Sequence, residues 1–397
     1  MSYKKVILKK GREVPVKNHH HWIFSGAVEN IPDYENGEIL AVYSFDNHFL
    51  GHAYFNKTTD IAGRMINFDD SDPVESLKQN ILEAIKFREG FFDKSTNCFR
   101  LINGEGDAVP GLIVDKYNDV LVVQISTWGI EKLKQEVLTI LKDFYKDKIS
   151  SIYERSDISS RKREGLQNVR GFLFGQEKDL IQEKGHVEVL ENGIKFDVDF
   201  INGQKTGLFM DMREMRRLVM DISNKKRVLN CFCYTGAFSL YALKGGAKSV
   251  TSVDISKDAI EAVKINFELN KFNNEKNPAI SEDVFDFLRK ESLDYDLIIL
   301  DPPAFAKKKS DLDNAKKAYY EINKTAFSKM PGHSMLLTCS CSYHIDELTF
   351  ERIIAKAAKD AGRNIKIASK HRLTPDHPIN IYHPELDYLK SMLIYVV

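Results

Sequence analysis

A mixed α/β chain is predicted, ending in a parallel sheet covered on both faces and preceded by a β-rich section and a small α+β section. Three observations lead there. After Arg213, strand-length apolar runs alternate with helical patterns, the grammar of strand–helix–strand units. Residues 1–70 carry short strand-like runs separated by turn residues. Residues 71–185 open with an amphipathic helix pattern and then mix strands with a second helix.

The elements follow in order. Ile39–Tyr43 and Phe49–Tyr54 are joined by the turn Asp46-Asn47, and Arg64–Phe68 adds a third strand. The polar stretch Phe68–Pro73 marks a boundary and leads into a helix over residues 74–92, apolar at Leu77, Ile81, Ala84 and Ile85. Strands are expected at Phe99–Ile102, Gly111–Asp115, Val120–Ser126 and Ile152–Glu154, with a helix over Ile130–Tyr145. Residues 186–397 start with a hairpin, because Asn192-Gly193 lies between the apolar runs Val187–Leu190 and Ile194–Phe200. Strands then recur at Arg227–Asn230, Ser249–Asp254, Ala279–Glu282, Leu297–Asp301, Ser334–Cys339, Lys366–Lys370 and Tyr388–Val397.

The chain has 397 residues, 43% hydrophobic and 29% charged, a length for two or three domains and an ordinary globular composition. Its longest apolar runs, Tyr117–Ile125 and Leu293–Leu300, are too short for a membrane span, and no export signal is visible. A cytoplasmic location without membrane contact is expected. Lys+Arg and Asp+Glu balance at 57 each, yet Arg161–Arg163, Lys225–Arg227 and Lys307–Lys309 concentrate positive charge locally. Each such run also reads as a solvated face. Five cysteines, an odd number, argue against a disulfide framework and direct attention to free thiols.

Open parallel sheets bind ligands at the carboxyl ends of their strands. There this sequence places Asn230, Phe232, Tyr234, Thr235 and Gly236 in a strand-to-helix turn, then Asp254, then Asp283. An acid after the second strand suits the ribose hydroxyls of a nucleoside cofactor, although Asp is also a favoured helix cap. The fourth strand runs into Asp301-Pro302-Pro303, whose prolines stiffen the loop and fix the carbonyls that would grip a planar base.

This ordered set resembles the class I S-adenosylmethionine-dependent methyltransferases. Gln204–Asp211, Phe232–Gly236, Asp301–Lys307 and Thr338–Ser342 resemble, more narrowly, the RlmI-type large-subunit ribosomal RNA cytosine-C5 methyltransferases. So do His20–Ala27, where His21 stands in place of the family's usual Pro, and Gly104–Asp115. The resemblance implies an N-terminal PUA domain that binds RNA, a small central domain and a Rossmann-like methyltransferase domain. It also implies S-adenosylmethionine as cofactor and ribosomal RNA as partner, and a chain of this size is compatible with a homodimer. Asp211, Arg213 and Phe209 are then expected around the cofactor, and Lys205, Pro302, Pro303, Lys307 and Cys339 around the substrate. Asp301 is expected to serve both.

Cytosine C5 is a poor nucleophile, so such chemistry needs a thiolate that adds at C6. Cys339 and Cys341 sit at the end of the fifth strand, two apart and so on one face. By resemblance Cys341 is the nucleophile, with Asp301 assisting at cytosine N3 and N4. The pairs Cys231/Cys233 and Cys339/Cys341 also invite a zinc reading, but lack a ligand-rich loop, and no metal is expected. His19-His20-His21 reads as a solvated loop. Two rival functions stand beside this one: guanine-N7 methylation, which needs no catalytic thiol, and a non-catalytic RNA-binding assembly factor.

Overall fold

The computed structural model describes residues 3–175, 185–306 and 308–397. Two compact units emerge, Met1–Leu190 with Val198–Met210 and Pro375–Leu386, and Glu191–Asp197 with Asp211–Thr374 and Asp387–Val397.

The first unit holds two sheets. Its six-stranded sheet runs in the order Trp22–Phe24, Ile61–Asn67, Phe49–Phe55, Ile39–Tyr43, Lys5–Leu8, Val28–Asn30, around a core containing Val6, Leu40, Phe55 and Met65. The second sheet orders Val169–Phe174, Ser151–Ser156, Val120–Ile125, Leu112–Tyr117 and Cys98–Asn103. A helix over Pro73–Glu89 shares a core with it through Leu77, Ile81 and Ile85. Asp72 caps that helix by accepting from the Val74 and Glu75 amides, with Pro73 in its first turn, so the helix starts at the end of the polar stretch Phe68–Pro73. The helix expected over Ile130–Tyr145 is two, Trp128–Lys132 and Lys134–Tyr145, divided at Leu133. Lys5–Leu8, Trp22–Phe24 and Val28–Asn30 were not anticipated, because three or four residues are too few to display alternation. Val169–Phe174 was missed as well, with Gly171 inside it.

The segment 375–386 packs within this first unit although it lies late in the chain. The Asp376 carboxylate accepts the Arg100 amide at 2.9 Å, and the Asp376 carbonyl accepts from Arg88 Nη2 at 2.9 Å.

The second unit is a seven-stranded sheet with strands β1 (Arg227–Cys231), β2 (Ser249–Asp254), β3 (Ala279–Ser281), β4 (Leu297–Leu300), β5 (Met335–Ser340), β6 (Ile365–His371) and β7 (Lys390–Val396). Its spatial order is β3-β2-β1-β4-β5-β7-β6. β1 to β5 pair in parallel, and β7 is antiparallel to both β5 and β6. Helix α1 (Arg213–Ile222) precedes β1, and α2 (Ala237–Lys244), α3 (Lys257–Leu269), α4 (Val284–Lys290), α5 (Leu312–Lys329) and α6 (Glu347–Asp360) connect β1 through β6 in turn. Alternation along the strands splits the core in two. Leu229, Ile298 and Leu336 pack with Tyr319, Phe327, Phe350 and Ile354 of α5 and α6, while Val228, Leu297 and Leu337 pack with Met215, Val219 and Phe238 of α1 and α2.

The expected hairpin forms from His186–Glu191 and Ile194–Asp199. Asn192 and Gly193 both have positive φ, 51° and 73°, as its tight turn requires. Its Glu191 carboxylate is fully buried and accepts from Arg213 Nε at 3.2 Å, Arg216 Nε at 2.7 Å and the Tyr241 hydroxyl at 2.9 Å.

Candidate active site

Strand order reverses between β1 and β4, so a crevice is expected beyond their carboxyl ends. Register levels those ends, because Cys231 pairs with Leu300 and Leu300 with Thr338. The residues that follow each strand therefore meet at one rim of the sheet.

After β1 the chain coils tightly. Phe232, Tyr234 and Gly236 have φ of 58°, 47° and 81°, three left-handed residues within five. Gly236 is required there, since a Cβ would also lie 3.1 Å from both methyls of Val263. The coil is tied to β2, with the Tyr234 amide donating to Asp254 Oδ2 at 2.9 Å and the Ser256 amide to Oδ1 at 3.0 Å. Asp254 is half-buried at the strand end, and each carboxylate oxygen retains acceptor capacity beyond these bonds. Asp283 caps α4 by accepting the Asp286 amide at 3.1 Å. Asn230 is fully buried and donates to Ser239 Oγ at 2.9 Å, which in turn meets Ser252 Oγ at 2.7 Å. Its side chain stitches β1 to α2 and β2.

Three half-buried aromatic rings stand at the same rim, and the sequence reasoning named only one of them as a site residue. Phe232, Phe285 and Phe305 have mutual centroid separations of 6.0 to 6.4 Å. Phe285 and Phe305 each follow a strand-ending acid, a signal that could have found them.

The ends of the fourth and fifth strands carry the Asp301-Pro302-Pro303 loop and the Cys339/Cys341 pair. Pro302 is buried and Pro303 exposed, and Asp301 is half-buried. Ser342 anchors this loop, with the Ala306 amide donating to its hydroxyl at 3.2 Å and Tyr319 Oη at 3.0 Å from it. Cys341 is half-buried, and its Sγ lies 3.9 Å from the Pro302 carbonyl oxygen. Cys339 is fully buried in the core beside β4, and burial pushes its thiol pKa up. It packs where a substrate contact had been expected. Cys231 and Cys233 are buried likewise.

Asp211 is buried and accepts from the Tyr388 hydroxyl at 2.6 Å. Arg213 is buried against Glu191 in an ion-pair network, a structural setting that its expected place near the cofactor did not foresee. Phe209 and Lys205 belong to the first unit, where the exposed Lys205 ammonium lies 4.2 Å from the centroid of the Phe209 ring. Lys307 falls outside the described residues.

The cysteine pairs form no ion-holding group among the described residues, where one such cluster exists: His20, His383 and Glu385 in the first unit. His20 Nε2 and His383 Nδ1 lie 3.5 and 3.7 Å from the two carboxylate oxygens. The Trp22 amide donates to His20 Nδ1 at 3.2 Å, and the His21 amide to His383 Nε2 at 2.8 Å. Each ring has thereby spent its lone pair, and the nitrogen turned to Glu385 carries the proton, the reverse of what a metal ligand needs. The solvated loop expected for His19-His20-His21 is corrected too, since His21 is buried and bonded to His383.

Comparison with known proteins places this geometry. A model of the S-adenosylmethionine-dependent methyltransferase family matches residues 181–378, and a PUA-like domain matches residues 6–68. The ribosomal RNA large subunit methyltransferase I of Vibrio vulnificus is 38% identical over 99% of both chains. Its namesake from Aliivibrio fischeri is 37% identical over 99% of both. The chain belongs to this methyltransferase family. Among solved structures, SMU.776, described as a methyltransferase and complexed with SAH, superposes with a TM-score of 0.85 at 25% identity, covering 99% of this chain and 100% of that one.

The family's cofactor is S-adenosylmethionine. The rim of the sheet fits it, since a nucleoside needs apolar faces for its base and acceptors for its ribose. Phe232, Phe285 and Phe305 would offer the first, and Asp254 the second. No helix among the described residues is long and apolar enough to cross a membrane.

Proposed function

We propose that this chain methylates C5 of a cytosine in large-subunit ribosomal RNA, in the cytoplasm, with Cys341 as covalent nucleophile. The observation that carries the reading is the position of Cys341. It is half-buried where the other four cysteines are buried, and it sits against the Asp301-Pro302-Pro303 loop. The relatives' names supply the RNA class, and the PUA-like domain supports RNA binding.

S-adenosylmethionine, when bound, supplies an electrophilic sulfonium methyl. The Cys341 thiolate adds to C6, forming a C–S bond and making C5 nucleophilic enough to take that methyl as its bond to sulfur breaks. Asp301, one residue beyond β4, enters as its carboxylic acid, gives its proton to N3 as the thiolate adds and accepts from the N4 amino group, so the adduct is neutral. Water at the rim then takes the C5 proton, the electrons released expel the Cys341 thiolate from C6, and the N3 proton returns to Asp301 as the aromatic ring is restored. The target base has to leave its stack to reach this rim.

The test uses ribosomal RNA from cells lacking this protein and methyl-labelled S-adenosylmethionine. Label should appear in 5-methylcytidine, persist with Cys339→Ser and vanish with Cys341→Ser. Label in 7-methylguanosine that survives both substitutions would overturn the reading. Cofactor binding without any label transfer would favour the assembly-factor alternative.

A further inference from the structure

We propose that Lys390 is a positioning residue for this reaction, a buried ammonium that holds the Cys341 thiol as its thiolate. The catalytic meaning rests on Cys341 as the nucleophile, whereas the charge coupling itself rests only on the surroundings of Lys390.

Lys390 opens β7 opposite Ser340 of β5, one residue before Cys341. It is only 5% exposed, and lysine is almost never buried unless paired. Its Nζ donates to the Ser342 carbonyl at 2.8 Å and the Tyr388 carbonyl at 2.7 Å. Those bonds satisfy two of its three donors but bring no formal charge. Among the described residues, no carboxylate lies within ion-pairing distance of it.

The charged and titratable groups facing Lys390 are Asp387, Asp346, Arg372 and the Cys341 thiol. Asp387 is already paired with Arg372 at 2.8 Å, and Asp346 is spent as the cap of α6, accepting the Thr349 amide at 2.6 Å. Cys341 in turn is faced by Cys339 and Tyr319, and its Sγ lies 3.9 Å from the Pro302 carbonyl oxygen. A carbonyl oxygen turned toward the sulfur opposes a thiolate, so a reactive Cys341 needs a compensating cation. Lys390 is a cation held at the carbonyl of the very next residue. Burial pulls its pKa down to about 8, as for an ammonium short of counter-charge.

The test reads the thiol directly in the full-length protein. The rate at which iodoacetamide alkylates Cys341 is followed across pH by peptide mass spectrometry, with Cys341→Ser as blank. In Lys390→Met the inflection should rise by about one pH unit or more, slowing alkylation near neutrality about tenfold, and Lys390→Arg should restore it. An unmoved inflection in a Lys390→Met protein that still binds S-adenosylhomocysteine would overturn the proposal. Should Lys390→Met fail to fold, reciprocity provides a second measurement. The Lys390 ammonium, followed by NMR in 13C-lysine-labelled protein, should titrate at lower pH in Cys341→Ser than in wild type, and equal midpoints would overturn the coupling. Neither measurement involves RNA or methyl transfer. A Cys341→Ser protein that still methylates would therefore refute the nucleophile and leave the coupling standing.

Discussion

Replacing Glu191 by Gln should unfold the methyltransferase unit far more readily, because Glu191 is the shared counter-ion of two buried guanidiniums. Arg213 and Arg216 are each 1% exposed, and the carboxylate between them is fully enclosed. It accepts charge-assisted bonds at 3.2, 2.7 and 2.6 Å from the two arginines and one from the Tyr241 hydroxyl. Gln keeps the shape and one acceptor, but removes the charge and turns an N–H donor toward donors. Breaking a buried ion pair by removing one partner costs about 3–5 kcal/mol. At 1.4 kcal/mol per factor of ten, that is about two to four orders of magnitude in the population of the open state. Tryptophan fluorescence is the wrong probe, since Trp22 and Trp128 both lie in the first unit. Hydrogen exchange read on peptides covering β1, β4 and β5 reports the affected sheet. Protection lost there by two orders of magnitude or more is expected, with Pro73–Glu89 in the first unit unchanged. Protection unchanged in β1, with S-adenosylhomocysteine affinity reduced instead, would refute the structural assignment and return Arg213 to the cofactor.

Three further predictions follow from other contacts. Asp254→Ala removes the acceptor at the end of β2 and releases the Tyr234 and Ser256 amides, so calorimetry should show S-adenosylhomocysteine binding weakened about tenfold or more. Gly236→Ala strains a residue at φ 81° and presses a methyl toward Val263, costing about 1–2 kcal/mol in thermal unfolding; an unchanged melting temperature would contradict the assigned turn. Burial holds His21 and His383 neutral, with pKa values lowered to about 3 and about 4. Their unfolded forms take up protons first as pH falls, so the first unit is fully stable above about pH 6.5 and loses stability progressively toward pH 4 and 3. Urea melts followed by Trp22 and Trp128 fluorescence should show this slope, and His383→Gln should flatten it.

The candidate rim is legible in the sequence because its residues lie on strand ends, where local patterns suffice. Asp254, the Gly236 turn, Asp301-Pro302-Pro303 and the Cys341 motif are each short, contiguous signals, and parallel pairing brings such signals to one rim automatically. Residues whose role depends on distant partners were not legible. Arg213 looks like any arginine in a first helical turn, and nothing local reveals that Glu191 from the hairpin claims it. Lys390 looks like the start of an edge strand, until β7 is found inserted between β5 and β6.

The sequence by itself determined the strand–helix alternation after Arg213, the hairpin turn at Asn192-Gly193 and which residues stand at the strand ends, because backbone preferences and alternation act within a few residues. Only the tertiary structure decided which polar groups are spent and which are available. It gave Asp283 to a helix end and Arg213 to Glu191, and enclosed Cys339 while leaving Cys341 half-open. It also returned residues 375–386 to the first unit, buried His21 against His383 where a solvated loop is expected, and set the Lys390 ammonium at the Ser342 carbonyl, one residue after Cys341. Burial and counter-charge are properties of packing between segments far apart in the chain, and no local pattern encodes them.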